Sequence, residues 1–335
     1  MAAVSCHSRR RLADANDGVL MADDVDAESR IATPAYPPEE GGKSTHPTVA
    51  PYLWMLCGAF AFTVMSTLAH LVRDRFPWQA IAIGRSSVPF VLTGLSALLS
   101  GGQLVVLGPR ALWLRSLAGS TSLVCTFYAL TRLPVADALT LTNLFPIWVA
   151  LLSWPLLRQR PGAFVWCCVV SAVCGVVLIQ QPHSPDGNLA TFTALIASFT
   201  SALAMIGLHS VQGVDTRAIV WHFSAVSLIF AGLAMGLLEG RMPIEQQPRT
   251  WVSWIELFGV GASATIGQLC LTKAFTLGVP SRVAVVGLSQ VFFALIFELI
   301  LENRDYNKAS LLGMLLVLAP TAILLLCRPE EEPVL

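Results

Sequence analysis

The sequence predicts an all-α membrane protein whose ten transmembrane helices form two inverted repeats of five helices each. Three observations support this fold class. Of the 335 residues, 55% are hydrophobic and only 13% are charged, which is about half the charged share of an average soluble domain. The apolar residues fall in blocks of about 20, the helix length that crosses a ~30 Å hydrocarbon core. The second half of the chain also resembles the first half.

Short stretches with charged residues, glycine or proline separate the ten apolar blocks, as expected for turns between membrane helices. The longest polar stretch between blocks covers 240–250, so no water-soluble domain fits between the spans. We place the spans at about 52–72, 78–100, 112–131, 134–157, 162–180, 189–211, 218–239, 252–277, 280–301 and 308–327.

The two ends of the chain lie outside the apolar blocks. Residues 1–50 are polar and end in a proline-rich stretch, so we expect a disordered tail without an apolar signal-peptide region. Residues 328–335 form a second, short tail. The loops on the two sides hold equal numbers of arginine and lysine, with Arg115 counted as a loop residue. The basic residues of the first tail therefore decide the orientation, and we expect both termini to be cytoplasmic.

Composition and motifs argue against several functions. The formal net charge is zero and no basic patch is visible, so nucleic acid is not an expected partner. Most of the eight cysteines lie in apolar blocks, where cysteine behaves as a small hydrophobic residue. The sequence contains no His-Glu-x-x-His motif, no Gly-x-Ser-x-Gly motif and no phosphate-binding loop. We therefore expect no catalytic residues, no metal, no cofactor and no direct use of ATP.

An internal repeat is visible at an offset of about 145 residues. Cys125 and Ala129 in the third span correspond to Cys270 and Ala274 in the eighth span. Because each copy has an odd number of spans, the second copy enters the membrane upside down relative to the first. Such inverted repeats are typical of secondary transporters, which bind solute near the bilayer midplane between the copies. We assign the two copies to 52–180 and 189–327.

Small residues follow one another at helical spacing in the third and eighth spans. Gly259, Ser263 and Gly267 are four residues apart and therefore share one helix face. A face of this kind lets a neighbouring backbone approach closely in lipid. We interpret it as a packing surface and expect the third and eighth spans near the centre of the bundle.

Several short motifs occur in the same order as in a known family. They are Gly84-Arg85-Ser86, Phe127-Tyr128-Ala129-Leu130, Pro146-Ile147-Trp148, Gln268-Leu-Cys-Leu-Thr-Lys-Ala274 and Val279-Pro280-Ser281. In this order they resemble the EamA domain of the drug/metabolite transporter superfamily, present twice between about 52 and 327. The resemblance implies ten helices, a cell (plasma or inner) membrane, cytoplasmic termini, and the movement or export of small organic metabolites or drug-like solutes. It leaves a homodimer open.

Three classes of function remain open at this point. The leading hypothesis is a transporter that works by alternating access, driven by a gradient or by exchange. An intramembrane enzyme would concentrate reactive groups on loops or adjacent helices, whereas the polar residues here are thinly spread. A membrane scaffold that transports nothing would need neither the repeat nor the interior polar residues. The expected partners of the leading hypothesis are a small-molecule solute and the lipid bilayer.

Polar residues inside the spans are the candidates for a solute cavity, because a charge at the centre of a membrane helix costs about 2.5–3.5 kcal/mol on insertion scales. Arg85 and Lys273 together would favour a solute with a carboxylate or phosphate group. Each also has a structural alternative, since Arg85 could bond to backbone carbonyls and Lys273 could extend to the interface. Glu298 or His222 could carry a proton or hold helices together. The full set of candidates is Arg85, Tyr128, Asn143, His222, Gln268, Lys273, Gln290 and Glu298.

Overall fold

The computed structural model describes residues 49–73, 75–101, 108–132, 140–180, 189–211, 213–237, 250–302 and 308–326. This part of the chain is helical, contains no strand and lies within one compact unit, Pro47–Leu335. The helices are α1 (Ala50–Val72), α2 (Trp78–Leu99), α3 (Arg110–Arg132), α4 (Phe145–Leu157), α5 (Ala163–Gln180), α6 (Leu189–His209), α7 (Thr216–Leu237), α8 (Trp251–Leu277), α9 (Pro280–Gly287), α10 (Ser289–Glu302) and α11 (Lys308–Leu326).

Six of the described helical segments are long and apolar enough to cross a membrane. They are α1, α2, α6, α7, α8 and the segment Thr140–Leu157, which contains α4. Shorter apolar segments lie in α5, across α9 and α10, and in α11. Because α3 carries three arginines, it is less apolar and is not among the six. The prediction of an all-α, multi-pass membrane protein is confirmed.

Two of the predicted spans are interrupted in the structure. A turn at Asn143 and Leu144 precedes α4, and it lies next to Pro146, which has no N–H to continue a helix. A second interruption at Leu288 separates α9 from α10, where the predicted span 280–301 was continuous. Thr63 of α1 donates a hydrogen bond to the carbonyl of Gln290 just after this break, at 3.1 Å. A side chain of another helix therefore supplies the hydrogen bond for a backbone carbonyl near the second break.

The small-residue face of the eighth span packs against α1. A Cβ atom added to Gly267 would lie 2.7 Å from Cε1 of Phe62, and one added to Gly259 would lie 2.9 Å from a methyl group of Leu68. Real Cβ atoms do not approach this closely, so any larger residue here would force the side chains of α1 to move. The packing role that the sequence predicts for Gly259 and Gly267 is confirmed.

Helix α3 is held by α6 and α7 through polar contacts. Ser122 donates a hydrogen bond to the carbonyl of Ala197 in α6 at 2.9 Å, and its hydroxyl lies 2.6 Å from that of Ser201. On the side of α7, the hydroxyls of Ser120 and Ser227 are 2.9 Å apart. Hydrogen bonds between helices in lipid satisfy polar groups that have no access to water. These contacts place α3 in the interior of the bundle.

We expect Gly175→Ala to lower the melting temperature of the purified protein. A Cβ atom at this position of α5 would lie 2.7 Å from the carbonyl oxygen of Gly313 in α11, and backbone cannot move aside easily. Such overpacking costs about 1–3 kcal/mol. Gly236→Ala in α7 is the matched control, because nothing lies within 4 Å of the added atom. An equal effect of the two variants on thermal unfolding would contradict close packing between α5 and α11.

Candidate functional site

A small cavity lies between α2, α3, α7 and α8. Its polar lining consists of Arg85, Ser86, Ser224 and Gln268, and its apolar lining includes Leu123 and Phe223. The space holds about one water molecule. Three helices, α2, α7 and α8, therefore direct polar groups toward one point within the bundle, and α3 adds the apolar side chain of Leu123.

Helix α2 brings Arg85 to the cavity one turn before a proline. Pro89 has no N–H, so the carbonyl of Arg85 lacks its usual partner four residues later. The hydroxyl of Ser86 donates a hydrogen bond to the carbonyl of Ala82, at 2.9 Å. The side chain of Arg85 forms no hydrogen bond or ion pair with any other residue that the structure describes.

Behind the lining lies Arg115, whose side chain is only 2% exposed. Its guanidinium group donates a hydrogen bond to Oε1 of Gln268 at 3.0 Å and lies 4.1 Å from the ring centre of Phe223. Its Nε is buried and has no hydrogen-bond partner. The side chain runs over Gly119, where an added Cβ would lie against the guanidinium group. Arg115 was counted as a loop residue in the sequence, and the structure corrects this: it lies five residues inside α3.

The cavity is positively charged. Arg85 lines the cavity beside Gln268, and Arg115 bonds to the same glutamine from behind, so two positive charges lie next to one amide. Two described carboxylates have partners elsewhere: Glu256 pairs with Arg75 at 3.1 Å, and Asp215 accepts a hydrogen bond from the backbone N–H of Arg217. Among the described residues, no acidic side chain pairs with either guanidinium group of the cavity.

A second polar contact adjoins the cavity on the side of α7. Nδ1 of His222 lies 2.7 Å from the hydroxyl of Ser116, and the rings of His222 and Trp113 pack edge to face. Both polar residues are buried, at 3% and 0% exposure. His222 does not line the cavity, but its neighbour Phe223 does. The contact therefore fixes α7 against α3 beside Arg115.

The remaining sequence candidates lie away from this cavity. Lys273 is exposed, with Nζ 4.4 Å from the ring centre of Trp54, while Tyr128 lies beneath the guanidinium group of Arg132 at 5.4 Å. Asn143 is half-buried in the turn before α4, and Gln290 is half-buried at the start of α10. Glu298 belongs to α10, and its side chain is outside the described part.

Of the eight candidates, the structure thus brings Arg85 and Gln268 together at the cavity. Arg115, rather than Lys273, supplies the second positive charge. One signal in the sequence marks it: Gly119 follows by four residues and leaves room along the same helix face. No group of three or more histidine, cysteine or acidic residues that could hold a metal occurs in the described ranges.

Known proteins similar to this chain are membrane transporters. Human solute carrier family 35 member G1 is 26% identical over 79% of this chain and 76% of its own length. The pseudopaline exporter CntI of Pseudomonas aeruginosa is 29% identical over 67% of this chain and 78% of its own length. The riboflavin transporter of Vibrio cholerae is 22% identical over 67% of this chain and 75% of its own length.

The fold is also similar to one that has been solved. A crystal structure with 14% sequence identity matches 82% of this chain and 95% of its own chain, with a TM-score of 0.70. The family model for the EamA-like transporter family matches residues 49–181 and again residues 188–326. The predicted resemblance is confirmed, and the described helices agree with a multi-pass membrane transporter. The chain belongs to the EamA-like transporter family.

Proposed function

We propose that the protein moves a small organic solute across the membrane by alternating access, with the cavity between Arg85 and Gln268 as the solute site. The observation that carries this proposal is a cavity between apolar helices whose lining includes Arg85, Ser224 and Gln268. Ionisable groups in such a place are costly and typically mark a solute pathway. Helices α2 and α3 belong to the first family match and α7 and α8 to the second, so the cavity lies between the matches.

We further propose ten crossings in two inverted repeats, 52–180 and 189–327. The pattern of helix packing supports this arrangement. In this arrangement α1 is the counterpart of α6, and α3 is the counterpart of α8. The contact between α1 and α8 then has a counterpart in the contact between α6 and α3, and both contacts are extensive. The counterpart of α2 is α7, and the counterpart of α5 is α11. In each of these two pairs the helix packs closely against its own counterpart.

The two helix interruptions give independent support. Asn143 and Leu288 are separated by the same 145 residues as the sequence repeat. Discontinuous helices at corresponding positions of two halves are common in transporters built from inverted repeats. They would allow one half to rock against the other. In this arrangement both termini are cytoplasmic, and the protein exports a metabolite from the cell across a plasma or inner membrane.

An enzyme is the weaker alternative. The Ser116–His222 contact has the distance of a nucleophile and its base, but Ser116 is fully buried and does not line the cavity. A substrate would therefore have no route to the hydroxyl group. A transporter, in contrast, uses the groups that do face the cavity.

The proposal is tested with purified protein in lipid vesicles. We expect flux of at least one solute from a metabolite panel. A single cysteine at Ser224, in a background without other cysteines, should react with membrane-impermeant reagents from either side. Val91→Cys in the same background is the control, since Val91 is 58% exposed on the outside of the bundle. Reaction of the cavity cysteine from one side only, under all conditions, would contradict alternating access.

We expect Gly119→Ala to weaken solute binding without preventing folding. The added Cβ would lie 2.8 Å from the ring of Phe223 and even closer to the guanidinium group of Arg115. The flexible end of the arginine has to move, and its hydrogen bond to Gln268 lengthens or breaks. A hydrogen bond to a charged group contributes about 1.5–3 kcal/mol, so we expect a rise of about 10-fold in the half-saturating concentration. Gly232→Ala, where nothing lies within 4 Å, should transport normally.

A further inference from the structure

We infer that the solute carries a negative charge, a carboxylate or phosphate group, which binds Arg85 and the amide nitrogen of Gln268 while Arg115 positions that amide. This inference rests on the proposed function and names the class of solute. It concerns a group of residues that the sequence did not bring together, because Arg115 lies behind the visible lining.

The charge balance of the cavity is the first argument. Two guanidinium groups lie beside Gln268, one in the cavity lining and one behind it, and no described carboxylate pairs with either. Burying one unpaired charge is costly, and two of the same sign repel each other as well. An anion bound by Arg85 and the amide of Gln268 would offset both penalties, whereas a cation would increase them. The site is therefore complementary to a negative charge.

The orientation of Gln268 is the second argument. Arginine can only donate hydrogen bonds, so the atom that faces Arg115 at 3.0 Å must be the carbonyl oxygen of the amide. The NH₂ group then points away from Arg115, and it makes no hydrogen bond with the described residues. Because Gln268 lines the cavity, this NH₂ group is available to a solute there.

The donors of the cavity therefore outnumber its acceptors. Arg85 offers guanidinium N–H groups and Gln268 offers its amide N–H groups, while the ring of Phe223 supplies an apolar wall that covers Arg115. Arginine donates two parallel bonds to carboxylate or phosphate oxygens, which gives such groups a geometric as well as an electrostatic fit.

The position of the donors suggests why the anion matters for the transport cycle. Arg85 lies in α2, within the first family match, and Gln268 lies in α8, within the second. An anion held by both would join the two halves of the chain. Without it, the repulsion between Arg85 and Arg115 opposes contraction of the cavity. A bound anion therefore favours a contracted cavity, the state that the transporter passes through between opening to one side of the membrane and opening to the other.

The experiment uses matched probes that differ in charge. The purified protein is incubated with succinate, with its neutral analogue succinamide and with the cation 1,4-diaminobutane, and also with glycerol 3-phosphate against glycerol. We expect at least one anion to raise the melting temperature by several degrees and to compete with flux in vesicles, and we expect the neutral and cationic probes to do neither. Arg85→Gln should abolish the effect of the anion, and Arg85→Lys should retain part of it.

Arg160→Gln is the matched control, because Arg160 is exposed and stacks on Trp154 outside the cavity. It removes the same charge and should keep the response to anions. The inference is overturned if no anion acts, if neutral probes act equally, or if Arg85→Gln responds like the wild type. Flux of a neutral or cationic solute alone would overturn the inference and leave the proposed function standing. The absence of flux for every panel solute would overturn the proposed function.

Discussion

Replacement of Arg115 by methionine is expected to leave the protein at least as stable as the wild type and to lower transport by about 10-fold or more. The two effects have one physical cause. The guanidinium group is buried at 2% exposure, and its Nε has no partner. Replacing a buried charge with an apolar side chain of similar volume is often neutral or stabilising, by about 1–4 kcal/mol. The same change frees the amide of Gln268 to rotate and removes the positive charge.

This prediction is checked by thermal unfolding and by vesicle flux of the same preparation. Arg160→Met removes an exposed arginine and should change neither quantity beyond the loss of its contact with Trp154. A structural role alone for Arg115 would give the opposite pattern, with lower melting temperature and nearly normal flux per folded molecule. That result would show that Arg115 does not contribute to solute binding. A second readout is the preference for anionic over neutral probes, which should decrease with Arg115→Met.

Most of the fold follows from hydrophobicity alone. The first span was placed at 52–72 and the eighth at 252–277, and the structure has helices at Ala50–Val72 and Trp251–Leu277. These limits are predictable because a long apolar helix forms the hydrogen bonds of its own backbone, and these do not depend on the neighbouring helices. The break at Leu288 is different. No proline marks it, and the carbonyl of Gln290 beside it is satisfied by Thr63 from another helix, which only the folded bundle can supply.

Only part of the candidate cavity could be expected from the sequence, and two basic residues explain why. Arg115 follows closely after the start of its span and resembles a loop charge, yet the small residues Gly119 and Gly207 let neighbouring groups close around it. Lys273 lies further inside its span, yet its flexible side chain reaches the exposed ring of Trp54. Sequence spacing measures depth along a helix. It does not show which face meets lipid and which meets another helix.

The charge of the site can be lowered by replacing a single side chain. We expect Gln268→Glu to raise the melting temperature and to lower transport of anionic solutes by about 10-fold or more. The new carboxylate would lie at hydrogen-bond distance from Arg115, in place of an amide oxygen at 3.0 Å. An internal ion pair would then neutralise one guanidinium group and remove the amide donor. It would also place a negative charge where the anion binds.

Melting temperature and flux are again measured together. Gln268→Leu separates the two effects, because it removes the amide without adding a charge. It should lose transport and also stability, since Arg115 then has no hydrogen-bond acceptor at this position. If Gln268→Glu transported anions at the wild-type rate, the negative charge would be tolerated beside the solute, and Arg85 and Gln268 could not both be its ligands.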